Sequence, residues 1–142
     1  MKEYSISDDK NKLQLEVIYK YLSEESYWAK NIPLQTVEKS IENSLCFGAY
    51  FDSEQIGFAR VITDYATFGY LADVFILEGH RKKGLSKKLM EYILQHEKLQ
   101  GLRRFMLATR DAHTLYEQFG FISTPNPKNI MEIKKEDIYQ TS

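Results

Sequence analysis

Apolar side chains in the first third of the chain fall at helical spacing. Leu13, Val17, Ile18, Tyr21 and Leu22 recur three and four apart, and Val37 and Ile41 lie one turn apart after Asn31-Ile32-Pro33. The spacing predicts two amphipathic helices, the first following a short strand over Tyr4 to Ser7 with Asp8 and Asp9 as candidate N-caps. From Leu45 the period changes. Leu45 to Phe51 and Gln55 to Ile62 read as two strands joined by Asp52-Ser53-Glu54, and Thr63 to Thr67 turns the chain into a third strand over Phe68 to Leu77. Three antiparallel strands in a meander are expected.

That third strand ends in the most informative stretch. Val74-Phe75-Ile76-Leu77 is unbroken apolar, Arg81-Lys82-Lys83-Gly84 is basic and carries a glycine, and Leu85, Leu89, Met90, Ile93 and Leu94 resume helical spacing. A helix therefore starts where positive charge is densest. Its first N–H groups lack intrahelical partners, its dipole is positive there, and a glycine lets backbone approach a ligand closely. The pattern points to an anion site, phosphate first. Beyond Gly101 a strand is expected over Arg104 to Thr109, then a short helix with Leu115, Tyr116 and Phe119 capped by Asp111. Pro125 and Pro127 bound a loop, a last strand is expected over Ile130 to Ile133, and the charged tail Lys134 to Ser142 is expected to fray.

Composition narrows the classes. With 142 residues, 43% of them hydrophobic, and no linker-like stretch, one domain spanning 1–142 is expected. A net charge of −1 gives no argument for nucleic acid as partner, and no run of about 18 apolar residues argues for a membrane. A cytoplasmic location is the default, and the polar start of the chain does not read as a secretion signal. One cysteine, Cys46, excludes an internal disulfide and a cysteine-cluster metal site, and His80, His96 and His113 are scattered, so no metal is expected. Cys46 between Leu45 and Phe47 reads as a small core residue without an activating base.

Two motifs in order carry a family resemblance. Arg81-Lys82-Lys83-Gly84-Leu85-Ser86 follows Gln/Arg-x-x-Gly-x-Gly/Ala, and Ala112-His113-Thr114-Leu115-Tyr116-Glu117-Gln118-Phe119-Gly120-Phe121 follows Ala-x-x-Leu-Tyr-x-x-x-Gly-Phe. With the order of strands and helices, the chain resembles the GCN5-related N-acetyltransferase (GNAT) superfamily over nearly its whole length. The resemblance implies an α/β (α+β) fold, a mixed and mostly antiparallel central sheet flanked by helices. It implies acetyl-CoA as cosubstrate, its pyrophosphate on N–H groups of Lys82, Lys83, Gly84, Leu85, Ser86 and Lys87 after Arg81, and its pantetheine arm beside Val74, Phe75 and Ile76. Ser86 stands where the family has Gly or Ala, and its hydroxyl can meet a phosphate oxygen. Thr109 stands where many members have an Asn whose side chain contacts the cofactor arm, a contact that is lost here or remade by the Thr hydroxyl.

Tyr116, matching the family tyrosine, is implied as the donor to the leaving thiolate, and a phenol with a pKa of about 10 keeps its proton at neutral pH. For the base, Asp73 interrupts an otherwise apolar strand, and His113 lies three residues before Tyr116 on one helix. Each has an ordinary structural reading beside the catalytic one, as do Tyr27, Trp28, Tyr65 and Phe68, candidates without a motif for the acceptor pocket. The implied activity is transfer of an acetyl group to a primary amine of a small molecule, peptide or protein by direct attack in a ternary complex. A non-catalytic acyl-CoA-binding module of the same fold is the alternative. A homodimer stays open, with no interface pattern in the sequence.

Overall fold

The computed structural model describes residues 3–140. Its strands are β1 (Tyr4–Ser7), β2 (Leu45–Phe51), β3 (Glu54–Thr63), β4 (Phe68–Ile76) and β5 (Arg104–Leu107). They form one sheet in chain order, β1 to β4 antiparallel and β5 parallel to β4. The four α-helices are α1 (Leu15–Lys20), α2 (Leu34–Glu42), α3 (Leu85–Leu94) and α4 (His113–Glu117). The parallel pair is joined through α3, the connection a parallel ladder requires.

Both faces of the sheet are covered, and for this reason β2 and β3 read as continuous apolar runs rather than alternating ones. Phe47, Ala49, Ala59 and Val61 pack with Leu89, Met90 and Ile93 of α3 and with Tyr116 of α4. Cys46, Phe58 and Phe75 face the other way and pack with Ile18, Leu22 and Val37 of α1, its following turn and α2. Leu89 is fully buried, and Leu89→Ala is worth about 2–5 kcal/mol of stability by the usual cost of an emptied core site. Gly48 is fixed by packing as well: a Cβ there would collide with the ring of Tyr50, which lies across it.

Several local expectations are corrected. The first helix is not continuous from Leu13: Asp9 caps a single 3₁₀ turn, Lys10–Lys12, by accepting from the Asn11 N–H at 2.9 Å. Asp8 instead lies 2.7 Å from His96 Nε2. Helix α1 starts after Gln14, whose N–H donates to the buried Gln55 Oε1 at 2.7 Å. It then widens into a π-helical turn over Tyr21–Glu25. Asp111 does not cap α4; the Ala112 N–H is taken by Thr109 Oγ1 at 3.0 Å. The strand expected over Ile130 to Ile133 does not form, because no neighbouring backbone pairs with it. Nor does the described part of the tail fray: Tyr139 packs on the helix-α1 side of the core, while Thr141 and Ser142 lie outside the described residues.

Candidate active site

Strands β4 and β5 pair only from Phe68 with Arg104 to Leu71 with Leu107, although β4 runs on to Ile76. The parting has a local cause. The β3–β4 register shifts between Phe58–Phe75 and Arg60–Ala72, so Asp73 and Val74 together face Ala59, and Asp73 takes a left-handed φ of 56°. A bulge bends a strand and ends its pairing. The resulting cleft, about 810 Å³, is lined by Ala72, Asp73 and Val74 on one side and Leu107, Ala108 and Thr109 on the other, with Tyr116 beneath. Beyond Leu71 the β5-facing edge of β4 is unpaired.

Past the end of β4, Lys82 and Gly84 hold left-handed φ values of 65° and 75° and turn the chain into α3. The Gly84 carbonyl accepts the first helical bond, from the Lys88 N–H at 3.2 Å. Among the described residues, no acceptor meets the consecutive N–H groups of Lys82, Lys83, Gly84, Leu85, Ser86 and Lys87. A Cβ added to Gly84 would meet nothing within 4 Å, so the turn opens onto free space. These features fit a diphosphate: convergent donors, a helix N-terminus and room for close approach. Arg81 is placed differently from its neighbours. Its Nε donates to the Ile76 carbonyl at 2.8 Å and its Nη2 to the Tyr21 hydroxyl at 3.2 Å, so it braces the turn from inside.

Of the implied arm residues, Val74 lines the cleft, whereas the Phe75 and Ile76 side chains are buried and offer only backbone. Phe75 stacks on Tyr21 with ring centroids 4.0 Å apart. Thr109 lines the cleft with its hydroxyl engaged as acceptor by Ala112. Tyr116 is buried against Phe121, and no described residue bonds its hydroxyl. Burial, with Tyr27 and Asp111 nearby, pushes its pKa above the ordinary phenol value.

The two base candidates fare differently from Tyr116. His113 is exposed at the start of α4 and is not among the cleft-lining residues. Asp73 does line the cleft, yet both of its oxygens are occupied: Oδ1 accepts from Trp28 Nε1 at 2.8 Å and Oδ2 from Arg60 Nε at 2.9 Å. Arg60 Nη1 also donates to Ser44 Oγ at 3.1 Å, and both members of the ion pair are largely buried. These bonds make the carboxylate an anchor for Trp28 and Arg60. Trp28 and Tyr27 line the cleft; Tyr65 and Phe68 do not. Arg110 stacks on Tyr27 at 3.7 Å, and the tail residues Lys134, Lys135, Glu136, Ile138 and Tyr139 complete the wall.

Sequence reasoning missed that tail, because its contact with the cleft is made at long range and no local pattern announces it. It also missed Arg60. A lone arginine between Ala59 and Val61 was the available signal, since a charge in an apolar strand requires a partner. Burial pushes the Cys46 thiol up to about 11, in keeping with an inert core cysteine. Among the described residues, no group of three or more His, Cys, Asp or Glu could hold a metal, and no helix is long and apolar enough to cross a membrane.

A cleft between parting strands with a tyrosine below, and a helix N-terminus just past the end of β4, is the arrangement to which known proteins can be compared. The model of the acetyltransferase (GNAT) family matches residues 15–121, and the chain belongs to that family of acetyltransferases. A provisionally named GNAT-family acetyltransferase of Xanthomonas campestris pv. campestris is similar in structure, with a TM-score of 0.95 at 48% identity over 98% of each chain. A provisionally named acetyltransferase of Gibberella zeae is 34% identical over 136 residues, 80% of this chain and 76% of its own. A provisionally named acetyltransferase from Clostridium acetobutylicum solved with acetyl-CoA shares the fold, with a TM-score of 0.64 at 15% identity over 94% of this chain and 96% of that one.

Proposed function

We propose that this chain is an N-acetyltransferase that moves the acetyl group of acetyl-CoA to a primary amine by direct attack in a ternary complex. The observations that carry the reading are a cleft with an unpaired β4 edge and an unpartnered Tyr116 hydroxyl, and free N–H groups at Lys82 to Lys87 just past the end of β4. The N–H groups and Gly84 would hold the diphosphate, with Ser86 and the lysines adding side-chain donors. The free edge beside Val74 would take the amide-bearing arm much as a sheet takes an added strand.

Acetyl-CoA, when bound, supplies a thioester whose carbonyl carbon takes the amine while the C–S bond breaks and the sulfur leaves as thiolate. Tyr116 would donate the proton that the sulfur needs and recover one from solvent. Its raised pKa keeps the phenol protonated through neutral and mildly alkaline pH, where amines become nucleophilic. A free β4 N–H would polarise the carbonyl as charge develops on it. Asp73 would hold Trp28 and Arg60 in place, leaving water to carry away the amine proton. A free hydroxyl at this position favours catalysis over a sensing module, which needs no proton donor.

The test is a screen of amines for acetyl-CoA-dependent thiol release, repeated with Tyr116→Phe. Loss of roughly 10²-fold or more in kcat with CoA affinity unchanged is expected for removal of a general acid. Near-native turnover in the variant would return Tyr116 to a packing role, and no release with any amine would remove the N-acetyltransferase reading.

A further inference from the structure

Several charges in the wall of the cleft are already paired. Asp73 faces Arg60 and Trp28, and Glu136 lies 3.6 Å from Lys134. Arg110, Asp111 and Lys135 also line the cleft, and among the described residues their side chains have no hydrogen bond and no ion pair. Arg110 is nevertheless held in place. Its guanidinium carbon lies 3.7 Å over the ring of Tyr27, which meets Trp28 edge-on with centroids 5.1 Å apart. A guanidinium stacked on a ring keeps its N–H fork free along its edge, and that fork matches the two oxygens of a carboxylate. Asp111, next in sequence, lies close enough to Tyr116 to help raise its pKa. The unengaged carboxylate is therefore near the unpartnered phenol, and the unengaged guanidinium lies on the aromatic lip.

We infer that the amine acceptor is an amino acid with an apolar body, its carboxylate on Arg110, its ammonium facing Asp111 and its body against Tyr27 and Trp28. This rests on the N-acetyltransferase reading and names the class of acceptor for it. Opposite charges at the two ends of the ligand meet opposite charges in the wall, which fixes its direction in the cleft. Turned around, the ammonium would face Arg110 and the carboxylate Asp111, so the orientation that takes the amine away from Tyr116 is disfavoured. Polyamines and lysine-rich peptides are disfavoured in the same way, because Arg110 and Lys135 repel added positive charge and only Asp111 is left to receive it. Tyr27 and Trp28, 50% and 41% exposed, offer aromatic surface for the apolar body. In the transfer itself the ammonium gives its proton to water, the neutral nitrogen bonds the acetyl carbon, and the sulfur leaves as thiolate.

Calorimetry on the full chain loaded with CoA tests this without turnover, by comparing amino acids with the amines that remain when their carboxylate is removed. Phenylalanine is paired with phenethylamine and leucine with isoamylamine, and the other apolar amino acids are treated alike. Trp28 is the chain's single tryptophan, so a change in its emission locates binding in this cleft. At least one acid should bind roughly tenfold or more tightly than its partner amine. Arg110→Gln should erase that preference while leaving the amine's affinity within about twofold, and Arg110→Lys, which keeps the charge without the fork, should restore only part of it. Asp111→Asn should weaken acid and amine alike. Equal affinities across the panel, no binding of any acid, or a preference that survives Arg110→Gln would overturn the inference. The thiol-release screen separates this from the reading beneath it. Faster acetylation of the decarboxylated amines keeps the N-acetyltransferase reading and overturns this acceptor class. No release with any amine removes that reading, and binding still decides whether Arg110 selects a carboxylate.

Discussion

At the Lys82–Lys87 end, past the close of β4, the groups on offer are backbone N–H, while at the Trp28 end they are side chains held by other side chains. The first end is fixed by φ angles: 65° at Lys82, 75° at Gly84, and a helix that starts immediately after. The second depends on residues far apart in sequence, Trp28, Arg60 and Asp73, with a wall added by residues 134–139. A backbone site tolerates changes in its side chains but not in its glycine. A side-chain site can be retuned by single substitutions.

The sharpest way to break that contrast is at Gly84. Gly84→Glu places a Cβ and a carboxylate where the proposed diphosphate would meet backbone, in a left-handed conformation that costs an L-residue about 1–2 kcal/mol. Calorimetry should show CoA affinity reduced by roughly 10²-fold or more, equivalent to about 2.7 kcal/mol. Lys83→Ala, which leaves the N–H groups in place, should change it only modestly. Equal effects of the two substitutions would mean that charge, not backbone, binds the ligand.

The same contrast explains what was legible in the sequence. The meander, α3 and the turn that opens it rest on local signals, namely apolar runs, helical spacing and a glycine at a strand-to-helix junction, and the structure has them where those signals fall. The exceptions are places where a distant contact overrides local preference. Asp8 is drawn to His96 and Gln14 to Gln55. Asp73 shows the limit most clearly. Its sequence position marked it as unusual, but only the fold shows that a β-bulge turns it onto Trp28 and Arg60.

At that end the expected effect is intermediate. Asp73→Asn keeps the shape and removes the charge that Arg60 faces in a largely buried pair, so a loss of about 2 kcal/mol is expected from weakened charged hydrogen bonds. Thermal melts measure it directly. Activity should fall in parallel across the pH range, since an anchor acts the same whether the acceptor arrives charged or neutral. A deficit confined to low pH would restore Asp73 as the base and erase the distinction between the two ends. Trp28→Phe should raise KM for the acceptor more than it lowers kcat.

The smallest effect is expected away from the cleft, at Tyr50, and it separates stability from function. The Tyr50 hydroxyl is buried with no hydrogen-bond partner among the described residues, and burial, with Asp9 nearby, pushes its pKa up to about 12. Tyr50→Phe removes an unsatisfied polar group and should leave stability unchanged or raise it by about 1 kcal/mol, with CoA binding unaltered. The pH dependence has a definite sign. In the unfolded chain the phenol ionises near its ordinary value of about 10, whereas in the fold it holds its proton to about 12. Between these values the unfolded state binds fewer protons, so native stability falls as pH rises. Below about pH 10 the contribution is fully present. Tyr50→Phe lacks this titration, whereas the Cys46 thiol, raised to about 11 by burial, titrates in both proteins and cancels from the difference. Urea melts of both proteins at about pH 8 and about pH 11 should therefore show the variant's advantage widening in alkali. An advantage that stayed constant would mean that the Tyr50 hydroxyl is hydrated in solution rather than sealed beneath the sheet.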